Sequence, residues 1–271
     1  MEPTPQTTSV ILAAGRGSRM KDYDGNKTLL PLLPSGSPYE GRHPILRHIL
    51  RNLPPGPKAL VVHHRKEEVM AATRSLGLTY CLQPQLNGTG GALLAAREFL
   101  EKSGPGRIII TMGDVPLVRK TTYETLCARL SDHSMVILGF RPPDKKQYGV
   151  LETRGEQVLR IIEWKYWKTY PRERQRSLGI CNSGIYAARK DHLLRYLSIL
   201  ASRPHVIRKT VDGRRIEIRE FFITDLVEYM RDDGLSVGHI LARDADEVLG
   251  VDDRPALEKA QEIFRRRSAP R

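Results

Sequence analysis

The chain has 271 residues, enough to bury a sizeable core in one large α/β domain or two small ones, and its net charge of +13 suits an anionic partner. Its 40% hydrophobic and 28% charged residues are those of a folded globular chain, which excludes a disordered one. Cys81, Cys127 and Cys181 form no C-x-x-C pair, no signal-peptide pattern opens the chain, and no apolar run spans a bilayer. These features exclude a disulfide framework and a cysteine-zinc site, and they predict a cytoplasmic protein with no membrane partner.

Strand-like runs alternate with helical patterns through the first half. Strands are predicted over 8–13, 59–63, 79–83, 107–112 and 135–140, with helices over 45–53, 66–76, 90–101 and 121–130. This alternation predicts a mixed, mostly parallel sheet with helices on both faces. Ile108, Ile109 and Ile110 are apolar in succession, as in a strand covered on both sides. A segment rich in Pro, Gly and Ser over 33–43 reads as a surface loop.

The second half differs. A strand pair is predicted over 149–152 and 158–164, and a loop or irregular helix over 165–176. A strand follows over 181–187 and a helix over 191–201. The alternating stretch around Asp212-Gly213 predicts a hairpin with a type I′ turn. A helix over 224–231 has Thr224 as its expected cap, a strand covers 237–241, and a terminal helix covers 255–267. The last residues, RRRSAPR, are expected to fray. One domain is predicted for the whole chain, with a nucleotide-binding part over 1–140, a second binding part over 141–252 and the closing helix over 254–267.

The first strand ends in L-A-A-G-R-G-S-R-M, residues 12–20. Gly15 and Gly17 can adopt positive φ, and successive N–H groups in such a loop attract anions. Arg19 and Lys27 add mobile positive charge. Alone, G-x-G serves equally as a tight strand-to-helix turn. The dinucleotide fingerprint fails because Met20 stands where its third glycine belongs. The P-loop fails because residues 25–28 read G-N-K-T.

The longer string, residues 12–20 with K-T-L-L-P-L at 27–32, resembles the signature of the nucleotidyltransferases that activate sugar phosphates. Asn26 stands where that family usually has proline. The resemblance continues through Q-P-Q-L-N-G-T-G-G-A (83–92), M-G-D-V-P-L (112–117), Y-G-V (148–150), I-I-E-W-K (161–165), C-N-S-G-I-Y-A-A (181–188), F-F-I-T-D-L (221–226) and G-V-D-D-R (250–254). These segments are most similar to the uridyltransferase part of the bacterial bifunctional N-acetylglucosamine-1-phosphate uridyltransferases. The resemblance runs from about residue 8 to about residue 264. It implies a Rossmann-like α/β fold, the nucleotide-diphospho-sugar transferase fold.

It also implies residue roles. Leu12, Ala13, Ala14, Gly15, Gly17, Arg19 and Lys27 would bind the nucleotide, and Gln83, Gly88 and Thr89 would read its base. Gly149, Glu163 and Asn182 would hold the sugar. Asp114 and Asp252 would hold Mg²⁺, and Arg19, Lys27 and Asp114 would carry catalysis. Asp252 replaces the family asparagine, Met112 its tyrosine and Gly91 its histidine. Read by itself, Glu163 is an exposed strand-end carboxylate paired with Lys165 or Arg160, and Asn182 is a turn residue.

The implied activity is uridylyl transfer from UTP to a sugar 1-phosphate, N-acetylglucosamine 1-phosphate above all, with release of pyrophosphate. No acetyltransferase repeat follows, so no acetyl transfer is expected. Three alternatives stay open. One is a same-fold enzyme using another nucleotide or an unusual sugar-like phosphate. Molybdopterin guanylyltransferases and methylerythritol cytidylyltransferases share the opening glycine loop. The second is a nucleic-acid-binding protein, suggested by PRERQR (171–176) and FRRR (264–267), although no nucleic-acid-binding signature is present and no nucleic-acid partner is expected. The third is a catalytically silent regulatory subunit.

Overall fold

A computed structural model describes residues 6–17, 19–20, 22–104, 106–211 and 214–268. The elements in chain order are strand β1 (Gln6–Leu12), strands β2 (Pro31–Ser35) and β3 (Ser37–Pro44), helix α1 (Ile45–Asn52) and strand β4 (Lys58–Val62). Helix α2 (Lys66–Thr73), strand β5 (Thr79–Leu82), helices α3 (Gly88–Ala95) and α4 (Arg97–Lys102) and strand β6 (Gly106–Met112) follow. Then come helix α5 (Lys120–Ala128), strands β7 (Met135–Phe140), β8 (Val150–Arg154) and β9 (Gln157–Ile162), and short helices α6 (Trp164–Trp167) and α7 (Arg172–Ser177). Strand β10 (Cys181–Arg189), helix α8 (Lys190–Ser202), strands β11 (His205–Val211) and β12 (Arg214–Glu220), helix α9 (Asp225–Asp232), strand β13 (Val237–Leu241) and helix α10 (Arg254–Ser268) complete the chain.

Nine strands form one sheet in the order β5-β4-β1-β6-β10-β7-β13-β9-β8. The block β5-β4-β1-β6 is parallel, as is the pair β7–β13. Strand β10 runs antiparallel between the two blocks, and the hairpin β8–β9 closes one edge. This is the mixed, mostly parallel sheet that the alternating pattern predicts.

Successive residues of one strand enter different cores, as the period of two in a strand requires. Ile11, Leu60, Ile109, Val136 and Leu138 pack with α1, α5 and α10. Val10, Leu12, Val61, Ile108, Ile110 and Ile137 pack with α3, α8 and α9. Ile108, Ile109 and Ile110 are all fully buried, so each contributes roughly 2 kcal/mol of transfer free energy.

Four expectations change. Residues 33–43 are no loop: β2 and β3 pair antiparallel. Their prolines hide the strand pattern, and α10 holds the pair through Gln261 Nε2, which donates to Pro31 O at 2.8 Å and Pro38 O at 2.7 Å. The helix expected over 90–101 is two helices, starting at Gly88 and parting at Ala96 (φ −90, ψ 2). Thr224 precedes α9, but its side chain does not cap that helix. The terminal helix continues through Ser268 instead of fraying at Arg265. Strands β11 and β12 form the expected hairpin, whose Asp212-Gly213 turn lies outside the described residues, as do residues 269–271.

Candidate active site

The site begins where β1, β4 and β6 end side by side, with Leu12 level with Val61 and Met112. Gly113 N donates to Leu12 O at 2.8 Å, and Ala13 N donates to Val61 O at 3.0 Å. A Cβ on Gly113 would lie 2.9 Å from Ala13 Cβ, so only glycine lets the loops after β1 and β6 touch. The side chains of Leu12, Ala13 and Ala14 are buried in the core, which leaves their backbone as the part that can face a ligand.

Of the two loop glycines, only Gly17 has positive φ, at +63. Gly15 does not use that freedom, and a Cβ there would meet nothing within 4 Å. The stem of Lys27 crosses Gly17, with Cδ 3.4 Å from the place of a Cβ. Lys27 opens a 3₁₀ turn, Lys27–Leu29, whose cap is Asn26. Asn26 is 2% exposed, and its Oδ1 accepts from Thr28 N at 3.0 Å and from the Thr28 hydroxyl at 2.8 Å. Its Nδ2 donates to His64 O at 3.0 Å. Where a proline would only stiffen the backbone, this asparagine ties the lysine turn to the segment after β4. Asn26→Ala should lose about 2 kcal/mol of stability, read from urea denaturation, because a buried cap and a cross-link vanish together.

Lys27 Nζ lies 2.5 Å from Asp114 Oδ2 and 3.0 Å from Asp252 Oδ1. Arg19, whose side chain is 71% exposed, reaches Asp252 Oδ1 at 3.1 Å. One backbone bond joins the two acidic loops: Val251 N donates to Asp114 O at 2.8 Å. Glu247, fully buried, braces the second loop. Its carboxylate accepts from Arg119 N and Arg243 N, each at 3.1 Å, and from the Thr122 hydroxyl. Burial pushes the Lys27 ammonium toward neutrality, but Asp114 and Asp252 outweigh burial and hold its pKa above the ordinary lysine value. The Tyr148 phenol is raised by burial first, then by Asp252, Cys181 and Asp114, with Arg19 opposing them.

The segment assigned to the base packs against the chain's own backbone. Gly88 has φ +93, and a Cβ there would lie 2.3 Å from Phe221 O. Phe221 N donates to Asn87 O at 2.8 Å, and Gly90 N to Phe221 O at 2.8 Å. Thr89 Oγ1 accepts from Ile223 N at 3.3 Å. Gln83 is 3% exposed, and its Nε2 donates to Asn87 Oδ1 at 3.0 Å and Gly88 O at 3.3 Å. Asn87 Oδ1 also occupies the space that a Cβ on Gly91 would need.

The residues expected to hold the sugar meet one another. Asn182 N donates to Gly149 O at 2.8 Å, its Nδ2 to the Tyr186 hydroxyl at 2.8 Å, and its Oδ1 accepts from Gly184 N at 3.0 Å. The turn role of Asn182 is therefore real, in a bulged stretch of β10. Glu163 Oε2 lies 3.5 Å from where a Cβ on Gly149 would stand. Burial raises the Glu163 pKa, while a hydrogen bond from Thr224 and the charge of Lys165 oppose this. Arg160 pairs with Glu152 instead, so of the two cations considered for Glu163 only Lys165 acts on it.

Residues 221–223 lie on the Gly88 loop, and Glu163 Oε2 lies by Gly149, whose carbonyl accepts from Asn182 N. Sequence reasoning missed Asn26, Tyr148 and Glu247 as site residues. The Asn26 departure was a visible signal. So was the D-x-x-E spacing of Asp244 and Glu247, since Asp244 Oδ1 accepts from Glu247 N at 2.9 Å.

Among the described residues, no group of three or more His, Cys, Asp or Glu is placed to hold a metal. Asp114 and Asp252 are nevertheless within reach of one ammonium, and two carboxylates with phosphate oxygens suit Mg²⁺.

Two solved structures share this architecture along nearly their whole length. A nucleotidyl transferase from Methanothermobacter thermautotroptrophicus superposes with a TM-score of 0.60 and 21% identity, covering 97% of this chain and 99% of its own. A Bacillus anthracis protein assigned as a glucose-1-phosphate thymidylyltransferase superposes with a TM-score of 0.68 and 19% identity, covering 98% of each chain. This is the nucleotide-diphospho-sugar transferase fold. Residues 9–173 match the MobA-like NTP transferase domain, and the chain belongs to that family. The bifunctional protein GlmU of Cereibacter sphaeroides is 33% identical over 264 residues, which are 96% of this chain. The chain spans about half the length of the curated relatives it matches.

Proposed function

We propose that the chain is a sugar-1-phosphate nucleotidyltransferase that moves a uridylyl group from UTP to N-acetylglucosamine 1-phosphate and releases pyrophosphate. The observation that carries this reading is the placement of Lys27 across Gly17 and between Asp114 and Asp252. The attacking phosphate oxygen is anionic at neutral pH, so no general base is required. The barrier lies in bringing two anions together, and catalysis rests on alignment and neutralisation.

Lys27 and the exposed Arg19 turn from the carboxylates to the β- and γ-phosphates and hold the pyrophosphate as it leaves. The Gly15–Gly17 amides approach the same oxygens. Mg²⁺ held by Asp114 and Asp252 would neutralise charge on the reacting phosphates. Gln83, Gly88 and Thr89 face the base through groups left over from their packing. Glu163, Asn182 and Gly149 orient the acceptor. A cytoplasmic location belongs to the same reading and is supported by three free, buried cysteines. No helix among the described residues is long and apolar enough to cross a membrane.

The test is pyrophosphate release from each nucleoside triphosphate against a panel of sugar 1-phosphates, with Mg²⁺ and with a chelator. UTP with N-acetylglucosamine 1-phosphate should give the highest turnover, and the chelator should abolish it. A different favoured pair would move the specificity and keep the class. Silence of every pair, together with salt-sensitive RNA binding, would replace the reading with the nucleic-acid alternative.

A further inference from the structure

A cavity of about 620 Å³ opens between the β2–β3 hairpin, α1 and α10, and none of the residues assigned to the reaction lines it. Its wall carries His43, Arg47, His48, Arg51, Asn52 and Phe264, and no acidic residue. Arg47 and Arg51 stand one turn apart on the exposed face of α1, opposite the buried Ile45, Leu46 and Ile49. Among the described residues neither has a carboxylate partner. Like charges at this spacing repel, and an anion between them would relieve that repulsion.

The floor is built as well. Phe264 is 8% exposed, and the His48 ring meets it edge-on at 4.9 Å between centroids. Asn52 Nδ2 donates to Val118 O at 2.9 Å and lies 3.2 Å from His48 Nε2, which therefore accepts and leaves the proton on Nδ1. His43 holds φ +60, a strained value for a residue with a Cβ, and its ring lies 6.0 Å from Phe264. Burial together with Arg51, His43 and Arg267 keeps the His48 pKa at about 4.

We infer that this cavity is a second anion site, for a small free molecule that joins a phosphate to a compact organic body. The arginines with the adjoining His48 meet the phosphate, and Phe264 with His43 meets the body. The volume is that of a small-molecule site. A concave pocket with an aromatic floor favours such a ligand over RNA, which tracks flat or grooved positive surfaces.

Pyrophosphate is the probe, titrated into the full chain by calorimetry, with the His48 imidazole followed by NMR. The wild type should bind one more equivalent than the double variant Arg47→Gln, Arg51→Gln, in which the remote site weakens at least about tenfold. The His48 signal should move in the wild type and in Lys27→Met, but not in the double variant. Glutamine keeps helix propensity at these exposed positions, so the variant folds, and its turnover without added effectors should equal that of the wild type. Equal stoichiometry and affinity in the double variant would overturn the assignment, as would a silent His48 signal in the wild type. RNA binding that depends on these arginines, with no pyrophosphate uptake, would also overturn it. Because the readouts sit at α1, failure of the proposed reaction leaves this result legible.

Discussion

Asp114→Asn should slow pyrophosphate release at least about a hundredfold, while the thermal midpoint shifts little. The loop that carries Asp114 is fixed by backbone: Gly113 N holds Leu12 O, and Asp114 O receives Val251 N. Neither bond uses the carboxylate. Lys27 keeps Asp252 as a partner, so no buried ammonium is stranded. The lost group is the charged oxygen that the proposed reaction assigns to Mg²⁺, and the amide is nearly isosteric. Pyrophosphate release and calorimetric unfolding, measured on one preparation, separate the two effects. Unchanged turnover would remove Asp114 from the reaction.

Lys27→Met should be costly in both respects. Turnover is expected to fall about a hundredfold through the lost charge on the departing phosphates. Stability should fall by about 2 kcal/mol, because Asp114 and Asp252 are left facing each other without the cation between them. The pH dependence has a definite sign. The folded pKa of Lys27 lies above its ordinary 10.5, so its contribution is fully present below that value and is lost as pH rises through the folded pKa. The gap in unfolding free energy between wild type and variant should stay level from about pH 7 to 10 and narrow above. A gap that widens above pH 10 would contradict the charge arrangement.

Much of this was legible from residues. Ile108–Ile110 announced a strand covered on both faces, and Ile109 indeed enters one core while Ile108 and Ile110 enter the other. The resemblance pointed to Asp114 and Asp252 as partners, and the structure brings both to one ammonium. What escaped depended on partners distant in sequence. The 33–43 segment carries Pro34, Pro38 and Gly41 and shows no strand alternation; its order comes from Gln261 of α10. Thr224 looked like a cap because capping is local, yet its side chain makes no capping bond to α9. The resemblance assigned Gly88 and Thr89 to a base, and at Gly88 and Gly90 the nearest neighbour is the backbone of Phe221. A glycine reports that something comes near without reporting what.

The bond from Val251 to Asp114 also sets an order of assembly. During synthesis, Lys27 and Asp114 are laid down on the order of ten seconds before residue 251 exists. Until residue 251 emerges, Asp114 O lacks its backbone donor and Lys27 lacks one of its two carboxylates. Docking of residues 250–252 therefore completes the charge arrangement around Lys27. A substitution that delays their docking would lengthen the life of a half-closed, sticky intermediate, so losses in yield should appear before any loss in the finished molecule.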